Sequence, residues 1–239
     1  MKTIAVIAAT PVEASALVEA FHAQRHPVSL PWDIFVAEEA STKIIFCISG
    51  IGTSNASAAT ALVAHLFTPD LLVTTGCAGA YPGCDLVIGD LSLATSEIFA
   101  DEGVVIPEGW RSLEEIAIPL LERNGSRYFN EIPLSQQANR AALQLAKRLN
   151  VTLTAGRFLT VATCSGTIAR GQELKIRFAG ICENMEGAAV ALVAARFGIE
   201  CMELRGISNF VENRNIARWN ISLAAENSQR FIEQFIRNH

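Results

Sequence analysis

The chain has 239 residues, of which 50% are hydrophobic and 18% are charged, and its formal net charge is −5 at pH 7. This length and apolar content predict a soluble globule with a sizeable core and argue against intrinsic disorder. With 19 basic against 24 acidic side chains, the sequence lacks the concentration of lysine and arginine that nucleic acids require, so we expect no nucleic-acid partner.

The first apolar run, residues 3–9, predicts a buried strand, because Pro11 and Glu13 interrupt it too early for a signal peptide. The longest later apolar segment, residues 188–195, is far below the ~20 residues that cross a bilayer, so we expect no membrane partner. The six cysteines are scattered without a C-x-x-C pair, which is typical of free thiols in a reducing compartment. These features together predict a cytoplasmic protein.

Strand-like runs alternate with helical patterns along the whole chain. In chain order, the first half predicts a strand at 3–9, a helix at 12–21, strands at 33–37 and 43–48, a helix capped by Thr53 or Ser54, a strand at 71–75, a turn at 76–80 and a strand at 86–94. The second half predicts a surface loop at 99–110, a helix from a Ser135 cap to 149, strands at 158–162 and around 181, helices through 174–176 and at 188–197 with Gly198 as a left-handed cap, a strand at 201–207 and a last amphipathic helix.

This alternation predicts an α/β fold, specifically a single-domain α/β/α sandwich over residues 1–239 with a mixed, largely parallel central sheet. Ligands bind outside the carboxyl ends of the strands in such sheets. Polar or glycine-rich segments follow predicted strands at residues 9–13, 76–80, 164–167 and 208–209. We therefore expect the functional site at that edge of the sheet.

Several familiar motifs are incomplete. Residues 50–52 resemble a dinucleotide-binding turn but lack the third glycine, and Asp70 begins a strand instead of ending one, so a plain tight turn is the better interpretation. The chain has no G-x-S-x-G nucleophile motif. His22 and His26 have the spacing of zinc ligands on a helix, but Pro27 follows at once. We expect neither a metal nor a cofactor.

Two glutamates carry the remaining chemistry. Glu13 follows the first strand, and Glu186 begins a helix that looks wholly buried. Either could be an ordinary first-turn acid favoured by the helix dipole. Burial of a carboxylate costs several kcal/mol unless it has specific partners, however, so a buried Glu186 favours a functional role.

Motifs at residues 4–13, 75–79, 184–189 and 205–209 resemble, in this order, those of the nucleoside phosphorylase and nucleosidase superfamily. The resemblance covers nearly the whole chain and implies the nucleoside phosphorylase-like α/β fold. Within the superfamily, residues 184–187 and 205–211 with the trailing Arg214, Arg218 and Trp219 are most similar to members that hydrolyse futalosine. That reaction gives hypoxanthine and dehypoxanthine futalosine in menaquinone biosynthesis.

The resemblance implies a role for each matching residue. Glu13 stands where related nucleosidases keep the base that activates water, and Asn209 stands at the purine. The other implied contacts are Met185, Glu186 and Cys77 at the ribose, Ser165, Gly166, Thr167 and Ser208 at the base, and Phe99, Arg214 and Arg218 at the 5′ substituent. Cys77 replaces a serine of the adenine-cleaving members.

Asn209 points to the substrate class. The adenine-specific members carry aspartate there, whereas an amide can donate to the O6 and N7 acceptors of hypoxanthine. Residues 8–11 and 74–76 contain no arginine that could bind phosphate, so water is the expected nucleophile. A 5′-methylthioadenosine/S-adenosylhomocysteine nucleosidase and a non-catalytic nucleotide-binding module remain alternatives.

The expected partner is a small nucleoside substrate. The resemblance also implies a homodimer or larger homo-oligomer. Residues 99–110 are a candidate lid over the 5′ substituent, in the same subunit or in its neighbour.

Overall fold

The computed structural model describes residues 1–28 and 30–238, and within them a ten-stranded mixed sheet carries helices on both faces. The strands are β1 Lys2–Ala8, β2 Gln24–Arg25, β3 Asp33–Glu39, β4 Thr42–Ile48, β5 Leu71–Ala80, β6 Leu91–Phe99, β7 Val104–Ile106, β8 Gly109–Arg111, β9 Leu121–Arg123, β10 Ser126–Tyr128, β11 Glu131–Pro133, β12 Leu153–Thr160, β13 Gly180–Asn184 and β14 Glu200–Phe210. The α-helices are α1 Ser15–Ala20, α2 Thr53–Phe67, α3 Gln136–Leu149, α4 Ile168–Phe178, α5 Gly187–Phe197 and α6 Ile221–Arg237, and 3-10 helices cover Pro11–Glu13 and Ile216–Arg218.

The main sheet has the order β11-β6-β12-β13-β5-β1-β4-β3-β2, and β14 pairs with both β5 and β6. Pairs β1–β4, β1–β5, β6–β12, β12–β13 and β5–β14 are parallel. Pairs β2–β3, β3–β4, β5–β13, β6–β11 and β6–β14 are antiparallel. The α/β class and the mixed sheet are confirmed, but antiparallel pairing is more common than a largely parallel sheet would have. The single domain remains a prediction.

Alternate residues of β1 point into two different cores, as the period of a strand requires. Ala5 and Ile7 belong to the cluster that includes α2 and α5, whereas Ile4 and Val6 belong to the cluster that includes α1, α3 and α6. Because both faces of β1 are covered by helices, its sequence is an uninterrupted apolar run. Among the described residues, no helix is both long and apolar enough to span a bilayer.

The two helix-boundary predictions based on Ser135 and Gly198 are confirmed. Ser135 Oγ accepts a hydrogen bond from an N–H of the first turn of α3, and Gly198 ends α5 with a φ of 75°. The predicted cap of α2 by Thr53 or Ser54 is wrong, because Gly52 is the capping residue and Thr53 is already helical.

Two predicted turns are in fact strand. Residues 76–80 continue β5, and Ser208 and Asn209 lie inside β14, which runs parallel to β5 with a register shift between Ile207 and Asn209. Small residues such as Gly79 often indicate a turn. Here the missing side chain leaves room for the Asn209 amide, whose Nδ2 would lie 3.0 Å from an added Cβ.

The surface loop predicted at residues 99–110 is also wrong in part. The segment includes β7 and the first two residues of β8, and these two strands form a hairpin. Trp110 packs edge-on against Phe178 of α4 with ring centroids 5.5 Å apart, and Asp101 pairs with Arg170 of the same helix at 2.9 Å. These contacts hold the hairpin against α4.

Candidate active site

A cavity of about 270 Å³ lies where β1, β12 and β13 end, beside the carboxyl-terminal residues of β5 and β14. Each of the four segments expected at this edge contributes to its wall. The predicted site residues that line it are Glu13, Cys77, Ser165, Met185, Glu186, Ser208 and Asn209. The folded chain therefore gathers residues that are almost 200 positions apart in sequence.

Glu13 is fixed by hydrogen bonds to both carboxylate oxygens. The 3-10 helix that starts at Pro11 turns the side chain inward, and only 8% of the residue is exposed. Oε1 accepts from the Cys77 N–H at 2.9 Å, and Oε2 accepts from the Thr10 N–H and hydroxyl at 3.1 and 2.8 Å. The carboxylate is thus held in one orientation at the cavity wall.

Glu186 caps the start of α5 and is 6% exposed. Its Oε1 accepts from the Gly52 N–H at 2.9 Å, and its Oε2 lies 3.6 Å from Arg205 Nη1. Burial raises the pKa of Glu186 above its usual value, although Arg205 and the Gly52 N–H act in the opposite direction. Arg205 balances part of the negative charge of Glu186, and the carboxylate can still accept hydrogen bonds from sugar hydroxyls.

Arg205 is the cation beneath these carboxylates, and it is only 1% exposed. Its Nε donates to Glu203 Oε1 at 2.7 Å, and its Nη2 donates to Asn184 Oδ1 at 3.3 Å. Burial lowers the pKa of Arg205, but Glu203, Glu186 and Glu13 together raise it above its usual value. The guanidinium therefore stays charged.

Gly76 lies between Glu13 and Arg205. Its φ is +145°, and an added Cβ would lie 2.5 Å from Glu13 Oε1 and 2.9 Å from Arg205 Nη1. Glycine is needed both for the backbone conformation and for the close approach of the two side chains.

The Asn209 amide is oriented by its neighbours. The Ser208 hydroxyl donates to Oδ1 at 2.8 Å, and Nδ2 donates to the Phe210 carbonyl at 3.1 Å. An amide nitrogen carries two protons, so Nδ2 keeps one for a ligand in the cavity.

The turn after β12 is attached to Glu183 of β13. Oε1 of Glu183 accepts from the Ser165 N–H at 2.7 Å, and Oε2 accepts from the Ser165 hydroxyl at 2.7 Å and the Tyr81 hydroxyl at 3.0 Å. Ser165 lines the cavity, whereas Gly166 and Thr167 do not, and the Thr167 side chain instead caps α4.

Two sulfur-containing side chains complete the wall. Met185 Sδ lies 3.3 Å from Cys164 Sγ, and Cys77 Sγ donates to the Ile221 carbonyl at 3.6 Å. Burial and the neighbouring Glu13 raise the pKa of Cys77 to about 12. The Cys77 thiol therefore remains protonated at neutral pH.

The residues expected at the 5′ substituent do not line the cavity. Phe99 is 7% exposed and packs in the hydrophobic core. The Arg214 guanidinium lies 5.4 Å from the ring centroid of Trp219, and Trp219 does line the cavity. Arg218 instead pairs with Glu212 at 3.0 Å.

Sequence analysis gave no role to Glu183, Asn184 or Arg205. The available signal was a polar or charged residue inside an otherwise apolar strand, because such residues are rarely buried without a specific partner. Arg205 shows this pattern, since it alternates with Glu203 in β14 and both lie on the same face.

The family profile described as Phosphorylase superfamily matches residues 3–237. Futalosine hydrolase from Thermus thermophilus is 32% identical over 195 residues, which cover 82% of this chain and 82% of that protein. A 5′-methylthioadenosine/S-adenosylhomocysteine nucleosidase from Halalkalibacterium halodurans is 27% identical over 70% of this chain and 68% of that protein. The solved structure of a futalosine hydrolase mutant of Helicobacter pylori superposes with a TM-score of 0.86 at 23% identity, covering 100% of both chains, and therefore shares the fold.

The fold and the paired carboxylates define an enzyme of nucleoside chemistry. The chain belongs to the Phosphorylase superfamily and is an enzyme of the nucleosidase class, as these relatives are.

Proposed function

We propose that the enzyme hydrolyses the N-glycosidic bond of futalosine, releasing hypoxanthine and dehypoxanthine futalosine in menaquinone biosynthesis. The observation that carries this proposal is the Asn209 amide, which is oriented by Ser208 beside the carboxylates of Glu13 and Glu186 in one cavity. The relative from Thermus thermophilus, which carries the name of this activity, supports it.

The proposed mechanism passes through an oxocarbenium-like sugar, as glycoside cleavage generally does. Glu186 accepts hydrogen bonds from the ribose hydroxyls, and its negative charge stabilises the developing cation. Glu13 removes a proton from the attacking water, which is worth about two to four orders of magnitude in rate. Asn209 donates to the departing base and stabilises the negative charge that builds on it.

Asn209 also gives the preference for a 6-oxopurine. Hypoxanthine presents acceptors at O6 and N7, and the second proton of Asn209 Nδ2 is available to them. An aspartate anion at this position would repel O6. The Asn209→Asp variant should therefore lose cleavage of hypoxanthine nucleosides, whereas Asn150→Asp, an exposed exchange at the end of α3, should not.

The cavity wall supports water as the nucleophile. Among the described residues that line it, none is lysine or arginine, and Glu13, Glu183 and Glu186 are acidic. Arg205 lies beneath the wall and is already paired with Glu203. Phosphate binding normally requires converging arginines and backbone amides, so these surroundings disfavour a phosphate nucleophile.

Arg214 is the better candidate for the 5′ end of the substrate. The 5′ substituent of futalosine ends in a benzoate, which a guanidinium can bind. The Arg214 guanidinium stacks on Trp219, which lines the cavity, whereas Arg218 is paired with Glu212. We further propose a homodimer or larger homo-oligomer, and residues 99–110, which include β7 and most of β8, as a lid over the 5′ substituent.

A 5′-methylthioadenosine/S-adenosylhomocysteine nucleosidase is the second candidate. Apolar side chains of Ile51 and Ile221 line the cavity and could pack against an alkylthio group, and one relative carries that name. Asn209 disfavours this alternative.

One experiment separates the candidates. The purified protein is incubated with futalosine, inosine and methylthioadenosine, with and without inorganic phosphate, and the released bases are separated by chromatography. We expect hypoxanthine from futalosine at a rate that does not depend on phosphate. Strict phosphate dependence with a sugar-1-phosphate product, or release of adenine alone, would contradict the proposal, and inertness toward all substrates would favour a non-catalytic module.

A further inference from the structure

Three ionisable side chains lie together beneath the carboxylate of Glu186, in a part of the core that the proposed reaction does not use. Glu97 of β6 and Glu203 of β14 are each 0% exposed, and Arg205 is 1% exposed. A buried carboxylate costs several kcal/mol unless its charge is balanced. The single positive charge of Arg205 cannot balance negative charges on Glu97, Glu203 and Glu186 together.

The carboxyl groups of Glu97 and Glu203 meet beside Gly187. A Cβ placed on Gly187 would overlap Oε1 of Glu97 and Oε2 of Glu203. Oε1 of Glu203 is occupied by the Nε of Arg205, but Oε2 is buried and accepts no hydrogen bond from any described donor. Two carboxylates this close do not both stay ionised, and one of them keeps a proton.

The surroundings assign that proton to Glu97. Burial and the negative charge of the adjacent Glu203 raise the pKa of Glu97 well above its usual value, against smaller effects of Thr160 and Arg205. The titratable groups buried in one cluster with Glu97 are Glu203, Arg205 and Cys201 on β14, Cys182 on β13 and Glu186 at the start of α5. On the same and adjoining elements, Glu200, Arg196, Glu131 and Arg157 are exposed, and Glu183 is bound to Ser165 and Tyr81. Arg205 is therefore the cation among the described residues of the cluster, and it is bound to Glu203.

Asn184 connects this pair to the start of α5. Its Nδ2 donates to Glu97 Oε1 at 2.6 Å, while its Oδ1 accepts from the N–H groups of Glu186 and Gly187 at 2.9 and 2.7 Å. The same Oδ1 accepts from Arg205 Nη2 at 3.3 Å. The backbone at Glu186 is therefore linked through Asn184 to the buried pair formed by Glu97 and Glu203.

We infer that Glu97 is a neutral carboxylic acid that donates its proton to Glu203 Oε2, and that this pair, with one negative charge, positions Glu186 through Asn184 and Arg205. Glu203 neutralises the guanidinium, so the charge of Glu186 remains available to the sugar. Glu97 and Glu203 are positioning residues that do not touch the substrate. The role assigned to Glu186 rests on the proposed function, whereas the shared proton does not.

The proton is tested by infrared spectroscopy. A protonated carboxyl carbonyl band that shifts in D₂O is expected in the wild type at neutral pH. The band should disappear in Glu97→Gln, which lacks the carboxyl group, and also in Glu203→Gln, because Glu97 then becomes the counter-ion of the buried Arg205 guanidinium, which favours the ionised form against the effect of burial. A wild type without the band, or a band that persists in either variant, would overturn the inference. Glu97→Met replaces Glu97→Gln if that variant does not fold.

The positioning role is tested by a double-mutant cycle, with the exposed Glu200→Gln exchange on β14 as control. Each single variant keeps one carboxylate of the pair as the counter-ion of Arg205. The double variant Glu97→Gln/Glu203→Gln keeps neither, so Arg205 should move toward Glu186, the carboxylate that remains. We expect kcat/KM within about threefold of wild type for each single variant and a loss of more than about tenfold for the double variant.

Losses that simply add would indicate a packing role and contradict the inference. The infrared measurement needs no substrate. A protein that cleaves no nucleoside but shows the band would therefore overturn the proposed function and leave the shared proton established.

Discussion

Arg205 Nη1 lies 3.6 Å from Glu186 Oε2, beyond hydrogen-bond distance, although both side chains are buried. Glu203 instead holds the guanidinium at 2.7 Å. Oε2 of Glu186 therefore receives part of the positive potential of Arg205 but keeps its lone pairs for hydroxyl donors. This arrangement suits a carboxylate that must bind a sugar and face a developing cation.

The first prediction concerns the pH dependence of activity. Because burial raises the pKa of Glu186, its carboxylate ionises at higher pH than an ordinary glutamate. We expect kcat/KM for nucleoside cleavage to rise with pH through a value above the usual glutamate range. A pH–rate profile measures this, and an acid limb at the ordinary glutamate pKa would contradict it.

The same shift predicts a pH dependence of stability. The folded state binds the Glu186 proton more tightly than the unfolded state. The contribution of this proton to the free energy of unfolding is therefore fully present below the pKa of Glu186 in the unfolded chain, and it is lost as pH rises through the pKa in the folded protein. Urea unfolding of wild type and Glu186→Gln across this window should show a stability difference that changes in favour of the variant as pH rises. A difference that is constant with pH would be inconsistent with the raised pKa.

The second prediction concerns Glu13 as the base. Glu13→Gln keeps an oxygen acceptor for one of the two N–H groups of Cys77 and Thr10, but its amide nitrogen can accept neither the other N–H nor a proton from water. We expect kcat to fall by about 10²- to 10⁴-fold with a small change in KM, and the lost acceptor should lower the free energy of unfolding by about 1–3 kcal/mol. The exposed Glu19→Gln on α1 is the matched control and should retain wild-type activity. Equal activity of the two variants would exclude Glu13 from the reaction.

The third prediction concerns Gly76. An alanine Cβ would overlap Glu13 Oε1 and Arg205 Nη1, so Gly76→Ala should lower both kcat and the free energy of unfolding, the latter by about 1–3 kcal/mol as in other overpacked sites. Gly125→Ala is the control, because Gly125 also has a positive φ, +79°, but an added Cβ there has no atom within 4 Å. An equal loss of the free energy of unfolding in Gly125→Ala would show that the positive φ, and not the overlap, is responsible.

The fourth prediction concerns Glu183 and the base-binding turn. Glu183→Ala removes the acceptors of the Ser165 N–H and hydroxyl, and hydrogen bonds to a charged group are each worth about 1.5–3 kcal/mol. We expect KM to rise by about tenfold or more with a smaller change in kcat. Glu183→Gln should restore most of the affinity, since the hydroxyls of Ser165 and Tyr81 can rotate to accept from its amide. A kcat effect without a KM effect would argue against a role in base binding.

Local rules identified much of the fold from sequence. Ser135 and Gly198 act at single helix ends, so their own chemistry decides the outcome. Residues 76–80 and Asn209 were misplaced because strand pairing between β5 and β14 overrides the turn preference of small and polar residues. That pairing joins segments more than 120 positions apart, which no local pattern shows.

The site was predictable to a similar extent. Glu13 and Glu186 stand in motifs that local sequence makes visible, and both line the cavity. Phe99 does not line the cavity, because the end of β6 turns its ring into the core, and its role at the 5′ substituent stays a prediction. The partnership of Glu97 with Glu203 depends on β6 pairing with β14, and it could not be read from either strand alone.

The glycine turn before α2 shows how the protein uses a helix start. In nucleotide-binding folds, backbone N–H groups at such a position bind a phosphate of the ligand. Here the Gly52 N–H, at the beginning of the 15-residue helix α2, is taken by the carboxylate of Glu186 from the same chain. The enzyme supplies its own anion to the helix. A ligand that hydrogen-bonds this carboxylate is therefore linked to the first turn of α2, and hydrogen exchange at that turn should slow when the sugar is bound.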